Sequence, residues 1–216
     1  MRRLRRPAVA LPTLTHDGPG AREHRRQVGD ASLRERFPPH WLHPDVRGAL
    51  RAMQGWVCAY CLKEIADGDE VEHFRPKSVY WWLAYDFSNY FLACHRCNRG
   101  SVKGTRFPLA EEAERTTWAA RDRLDDEPRL VADPVCDPVE DWFTVDVLEG
   151  SCPVEVRPSV DRASRAFSVA QRSIELGWLL AVIARDPPAL DSARIERWLA
   201  ERELLAWVSE FRARLR

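Results

Sequence analysis

Residues 71–82 read VEHFRPKSVYWW. A carboxylate, Glu72, stands beside an imidazole, His73, and the cations Arg75 and Lys77 follow within a few positions. Asn89 comes five residues before Cys94, Asn98 directly after Cys97, and Arg99 and Lys103 lie just beyond. Metal-assisted hydrolysis of a phosphodiester needs a base for the attacking water, a hard cation on the phosphate and positive charge along the backbone. A neutral histidine, with an unperturbed pKa near 6.5, suits the base, which is the role read for His73. Glu72 and the amide oxygen of Asn98 offer hard oxygen ligands of the kind Mg²⁺ or Mn²⁺ accepts. Asn89 is suited to bonding backbone near His73 and so fixing the imidazole. Arg75, Lys77, Arg99 and Lys103 are candidate phosphate contacts, which add affinity without sequence information. One condition attaches. On a regular strand Glu72 and His73 face opposite sides, so both reach one phosphate only where the segment bends or turns.

Two cysteine pairs bracket these residues. Cys58 and Cys61 form one Cys-x-x-Cys, Cys94 and Cys97 another, with 32 residues between them. Brought together, two such turns present four thiolates in a tetrahedron, the arrangement zinc prefers. A closed four-thiolate site leaves no open position, so the expectation is a structural Zn²⁺; a redox dithiol would need only one pair. Cys136 and Cys152 have no matching spacing and read as unbridged, buried thiols.

The elements that must position this set are unevenly legible. The first 30 residues are rich in Arg, Pro and Gly with little periodicity, which predicts a mostly irregular arm. From Pro44, Val46, Leu50 and Met53 recur at helical spacing and lead into the first cysteine pair. Residues 56–109 are dense in Cys, His and aromatics without long periodic runs, as in a small metal-organised module. Tyr80, Trp81, Trp82 and Tyr85 could stack on unpaired bases, but in a small module aromatics more often pack its core. His95 reads as solvent-facing and without a role. Acids and Pro pairs mark 110–157 as turn-rich, with a strand in DWFTVDV, 141–147, and a turn at Glu149–Gly150. Beyond it, Ala163, Phe167, Ala170, Ile174, Trp178 and Val182, then Ile195, Trp198, Leu205 and Val208, describe two helices broken by Pro187–Pro188. The reading is an α+β protein in four parts: a basic arm over 1–43, the metal module over 44–109, an acidic connection over 110–157 and a helical hairpin within 158–216.

The 216 residues carry 33 Lys or Arg against 33 Asp or Glu, but the charges are segregated. Residues 1–26 hold seven Arg and two acids, 71–109 six cations and two acids, and 110–161 fifteen acids and five Arg. A cationic module beside an acidic one suggests that one part meets a polyanion. No apolar run approaches the roughly 18 residues of a membrane span, so a cytoplasmic location is expected, with no membrane partner.

The strings CAYC, VEHFRPKS and CHRCNRGSVKG, in this order, resemble the HNH endonuclease family, whose ββα-metal fold is built on a treble-clef zinc frame. The commonest form of that motif has Asp-His and a closing His after the last Cys; here Glu72 and Asn98 take those places. The wording over 56–109, about a quarter of the chain, is most similar to the HNH nuclease subunit of Septu-type and retron-associated anti-phage systems. The resemblance implies an endonuclease acting on DNA or structured RNA, using one Mg²⁺- or Mn²⁺-type ion and working beside an ABC-type ATPase. It also implies control by that partner, for which 110–161 or the C-terminal helices are candidate docking surfaces. The rival expectation is a non-catalytic zinc module that grips nucleic acid or protein.

Overall fold

A computed structural model describes residues 4–60, 65, 70–98, 103–131 and 133–137, together with the backbone of two strands at 143–147 and 154–158. The predicted C-terminal helical hairpin, Cys61, Arg99 and Cys152 lie outside the described residues. The helix expected from Pro44 is present as α2, Pro44–Gln54. Proline occupies its first turn, where its missing N–H costs nothing. Gly55 ends it in the left-handed region, at φ 68°, with its N–H on the Arg51 carbonyl. Val46, Leu50 and Gln54, spaced by four, form its buried face.

That face packs on a two-stranded antiparallel sheet of β1, Glu70–His73, and β2, Tyr90–Ala93. The register sets Val71 opposite Leu92, Glu72 opposite Phe91 and His73 opposite Tyr90. All four β2 residues are buried, as expected of a strand covered on both faces. Val71, Tyr90 and Leu92 join Val46, Leu50 and Trp41 in one apolar cluster, while Phe91 joins Phe74, Tyr80, Trp82 and Phe107 in a second. The aromatics of 80–85 thus go chiefly to packing, the use the sequence favoured. The Gln54 side chain extends the sheet: its Nε2 donates to Leu92 O at 3.0 Å and its Oε1 accepts from Leu92 N at 2.7 Å. A four-residue helix, α3, His95–Asn98, follows β2 directly, giving a strand–strand–helix order.

The N-terminal region corrects the expectation of an irregular arm. It carries helix α1, Pro19–Gly29, and places Leu4 and Leu11 in the interior. The Arg6 guanidinium donates to the Phe87 and Tyr90 carbonyls at 2.9 and 2.6 Å and lies over the Phe91 ring. Helix α1 has no apolar stripe because its buried residues are Gly20, Glu23 and Gln27. Gln27 is fully buried and donates to the Arg36 carbonyl at 2.9 Å. Its packing is made of polar side chains and close backbone approach, to which a search for hydrophobic period is blind.

The acidic segment is drawn onto the module by its charges. Glu127 is buried; it accepts from Arg75 Nε at 3.0 Å, Tyr80 OH at 2.8 Å and Thr116 N at 2.9 Å. Arg129 pairs with Asp137, whose carboxylate also accepts from Asp133 N at 2.7 Å. Strands β3, Phe143–Val147, and β4, Val154–Pro158, form a second antiparallel pair, the first of them within the predicted stretch 141–147. Cys136 is exposed, not buried as expected, because it sits in the turn that Asp133 caps. Among the described residues no helix is long and apolar enough to cross a membrane.

Replacing Glu127 with Ala leaves the Arg75 guanidinium buried without its counter-charge, a change that costs about 3–5 kcal/mol. Denaturant unfolding should show a loss of that size; a loss below about 1 kcal/mol would show that the two segments are not joined through this carboxylate.

Candidate active site

The thiols of Cys58, Cys94 and Cys97 converge, with their sulfur atoms all within 4.8 Å of one another and all three residues buried. A zinc–sulfur bond of about 2.3 Å puts tetrahedral sulfurs about 3.8 Å apart, so the cluster fits three corners of a zinc site after slight contraction. Backbone bonds set the turns: Cys97 N and Asn98 N both reach Cys94 O, at 2.9 and 3.0 Å, and Ala59 N reaches Leu92 O at 2.9 Å. Ala59 and the turn Cys94–Asn98 are therefore held at one end of the β1–β2 pair.

A cleft of about 390 Å³ runs beside β1, lined by Glu72, His73, Lys77 and Asn98, with Glu35 and Phe37 among the residues facing them. The strand places Glu72 and His73 on opposite faces, as alternation demands. Both nevertheless line the cleft, and among the described residues β1 has no strand on its second edge.

His73 is packed between rings, edge-on to Trp41 at 4.6 Å and to Tyr90 at 5.0 Å between centroids. Its Nε2 lies 3.1 Å from the Ala84 carbonyl. A carbonyl only accepts, so this nitrogen carries the proton and Nδ1 is the basic one. Burial, reinforced by the charge of Lys77 and opposed by the bond to Ala84, pushes the imidazole down to about 3. His73 in the free protein is therefore the neutral imidazole read from sequence, and it is uncharged throughout the physiological range.

Glu72 is 2% exposed. Tyr60 OH donates to its Oε1 at 3.0 Å, and the Lys103 ammonium forms an ion pair with the same oxygen. Burial pushes this carboxylate up, and Lys103 and then Tyr60 oppose the rise. Among the described residues both contacts fall on Oε1, which leaves Oε2 for an ion. Asn98 donates its Nδ2 to Glu70 Oε2 at 2.6 Å, so the amide oxygen is turned away from Glu70. One carboxylate oxygen and one amide oxygen on a common cleft fit a hard divalent ion that keeps several waters.

Asn89 does not line the cleft. Its Oδ1 accepts from Arg75 N at 2.7 Å and its Nδ2 donates to Arg75 O at 2.9 Å, clamping the backbone two residues past His73. Arg75 and Lys103 do not present cations to a phosphate. Arg75 is 8% exposed and committed to Glu127, while Lys103, 1% exposed, spans Glu72 and the His73 carbonyl, the latter at 3.0 Å. Of the four cations read as phosphate contacts, Lys77 faces the cleft, its Nζ 5.1 Å from the Trp41 ring centre. His95 is exposed as expected. Sequence reading missed Tyr60, Glu70 and Trp41. Tyr60 lay in view inside the first Cys-x-x-Cys, and Glu70 two positions before Glu72 on the same strand face. Trp41 carried no local signal.

Comparison with known proteins describes the same segment. Residues 58–102 match the family model described as HNH endonuclease. The segment is an HNH domain. The chain is 34% identical over 85 residues to the Septu protein PtuB of Bacillus mycoides, an alignment covering 32% of this chain and 28% of that protein. It is 40% identical over 68 residues to the Septu protein PtuB of Bacillus thuringiensis, covering 30% and 26%. It is also 40% identical over 58 residues to the "Retron Vc95 putative HNH endonuclease" of Vibrio cholerae, covering 25% and 28%. This chain thus spans little more than a quarter of the length of each of these relatives. No solved structure matches it significantly.

Two measurements check the HNH domain. Elemental analysis of untagged protein should find about one zinc per chain, and a strong chelator should abolish its tertiary signal in near-ultraviolet circular dichroism; a folded, zinc-free protein would contradict the frame. The pH dependence of stability checks His73. Its folded pKa lies below the unfolded value, so the unfolded chain takes up a proton first; the stabilisation is complete above about pH 6.5 and is lost as pH falls towards 3. Between about pH 8 and pH 5 this removes about 2 kcal/mol. His73→Gln should flatten that part of the stability profile, whereas parallel profiles would contradict the buried neutral imidazole.

Proposed function

We propose that this chain is a metal-dependent endonuclease that hydrolyses phosphodiester bonds of DNA, as the effector of an antiviral defence system with an ATPase partner. The observation that carries the reading is that one cleft is lined by His73, Glu72, Asn98 and Lys77. In this reading Lys77 meets a phosphate at the cleft, supplying affinity without base readout. His73, uncharged and with its tautomer fixed by Ala84, receives at Nδ1 the proton of the attacking water once the negative charge of a bound phosphate beside it offsets the burial that lowers its basicity. Asn89 holds the backbone that carries the imidazole, and Glu72 and Asn98 hold the ion. When bound, a Mg²⁺- or Mn²⁺-type ion supplies charge stabilisation for the phosphate and the departing 3′ oxygen. The structural zinc has no part in the chemistry; it fixes the turns.

The relatives are named for Septu and retron systems, which supports the defence role; the ATPase partner is what the resemblance to that family implies. A nuclease with little means of reading bases would injure its own cell unless restrained, which favours a controlling partner.

His73→Ala, assayed on plasmid DNA with the candidate ATPase partner present, should lower the cleavage rate about 10²- to 10⁴-fold while leaving zinc content unchanged. Cleavage at the wild-type rate would exclude the nuclease assignment and leave a module that only binds.

A further inference from the structure

The groups around Glu72 share one origin, which the motif itself does not assign. Tyr60 lies inside the first cysteine pair, between Cys58 and Cys61, and its hydroxyl donates to Glu72 Oε1 at 3.0 Å. Lys103 is fixed by the second pair: its backbone N–H donates to the Cys97 carbonyl at 3.1 Å, and its ammonium pairs with the same Oε1. Both side chains are buried, at 3% and 1% exposure, so no solvent competes for the carboxylate. Asn98, the other oxygen donor at the cleft, directly follows Cys97.

We infer that Tyr60 is a positioning residue for the ion-binding carboxylate: its hydroxyl, fixed by the thiolate site, holds Glu72 Oε1 together with Lys103 and presents Oε2 to the cleft. This rests on the nuclease reading above and adds a coupling between the structural metal and the divalent-ion site. A buried carboxylate with one donor on Oε1 can rotate about its last torsion; two donors from different knuckles, on one oxygen, stop that rotation. Partners of this kind set ligand orientation, and removing one lowers metal affinity about 10- to 100-fold. The thiolate cluster then does more than stabilise the fold. Its geometry is read at the cleft through one phenol, and disturbing the first knuckle misdirects the carboxylate even where β1 stays intact.

The test is Tyr60→Phe in the full zinc-loaded chain, which keeps the ring and its packing. Binding of Mn²⁺ is followed by loss of the free-ion electron paramagnetic resonance signal, beside zinc content and thermal melting. The expected result is wild-type zinc, a wild-type fold and Mn²⁺ affinity about 10- to 100-fold weaker. Cleavage turnover should fall with the KM for DNA unchanged. Wild-type Mn²⁺ affinity in Tyr60→Phe would overturn the positioning role alone. Loss of zinc from that variant would also overturn it, by making the hydroxyl part of the frame. Failure of the unaltered chain to bind Mn²⁺ would remove the ion site, and with it both this role and the proposed function.

Discussion

Three buried sulfur atoms within 4.8 Å of one another are the constraint on which the rest of this molecule depends. As thiolates, that close and out of water, they would repel one another without a cation among them, and a zinc ion satisfies that condition. Their meeting brings together two turns that the sequence separates by 32 residues, and the groups that surround Glu72 are attached to one turn or the other. The first carries Tyr60; the second carries Asn98 and fixes the backbone of Lys103. The short β1–β2 pair between them could not set these positions unaided, since two strands alone are marginally stable. Helix α2, with Gln54 bonded to both polar atoms of Leu92, and the N-terminal region, with Arg6 on the carbonyls at the start of β2, supply the cover.

Electrostatics then divide the cations into two groups. Arg75 and Lys103 are buried and each is paired with an acid, Glu127 and Glu72. Such pairs gain little net stability over apolar packing, but breaking one is costly, so they specify the arrangement. Part of the segregation of charge along the chain is therefore internal complementarity. The acids of 110–137 partly serve to hold their own segment onto the module, while Lys77 lines the cleft.

The residues that line the cleft were more legible than the scaffold. Paired cysteines, Glu72, His73 and Asn98 were readable because metal and acid–base chemistry demand particular side chains at particular spacings, and the structure brings His73, Glu72 and Asn98 to one cleft. Helix α2 was readable from Val46 and Leu50, which follow the helical period. Helix α1 was not, because it buries Gly20, Glu23 and Gln27. Arg75 and Lys103 were misread for a physical reason: a cation beside an active-site motif looks the same in sequence whether it faces a phosphate or a buried carboxylate 31 or 52 residues away. Tyr60 was passed over because a tyrosine inside a metal knuckle resembles filler until its hydroxyl is seen on Glu72.

The account turns on whether the thiolate frame and the oxygen donors each take their own metal. Anomalous scattering from crystals of the zinc-containing protein soaked in Mn²⁺ reads both positions at once. The account predicts a zinc peak among Cys58, Cys94 and Cys97 and a separate manganese peak between Glu72 and Asn98, on the side of the cleft that His73 lines. No manganese density there, or density only at the cysteines, would contradict it.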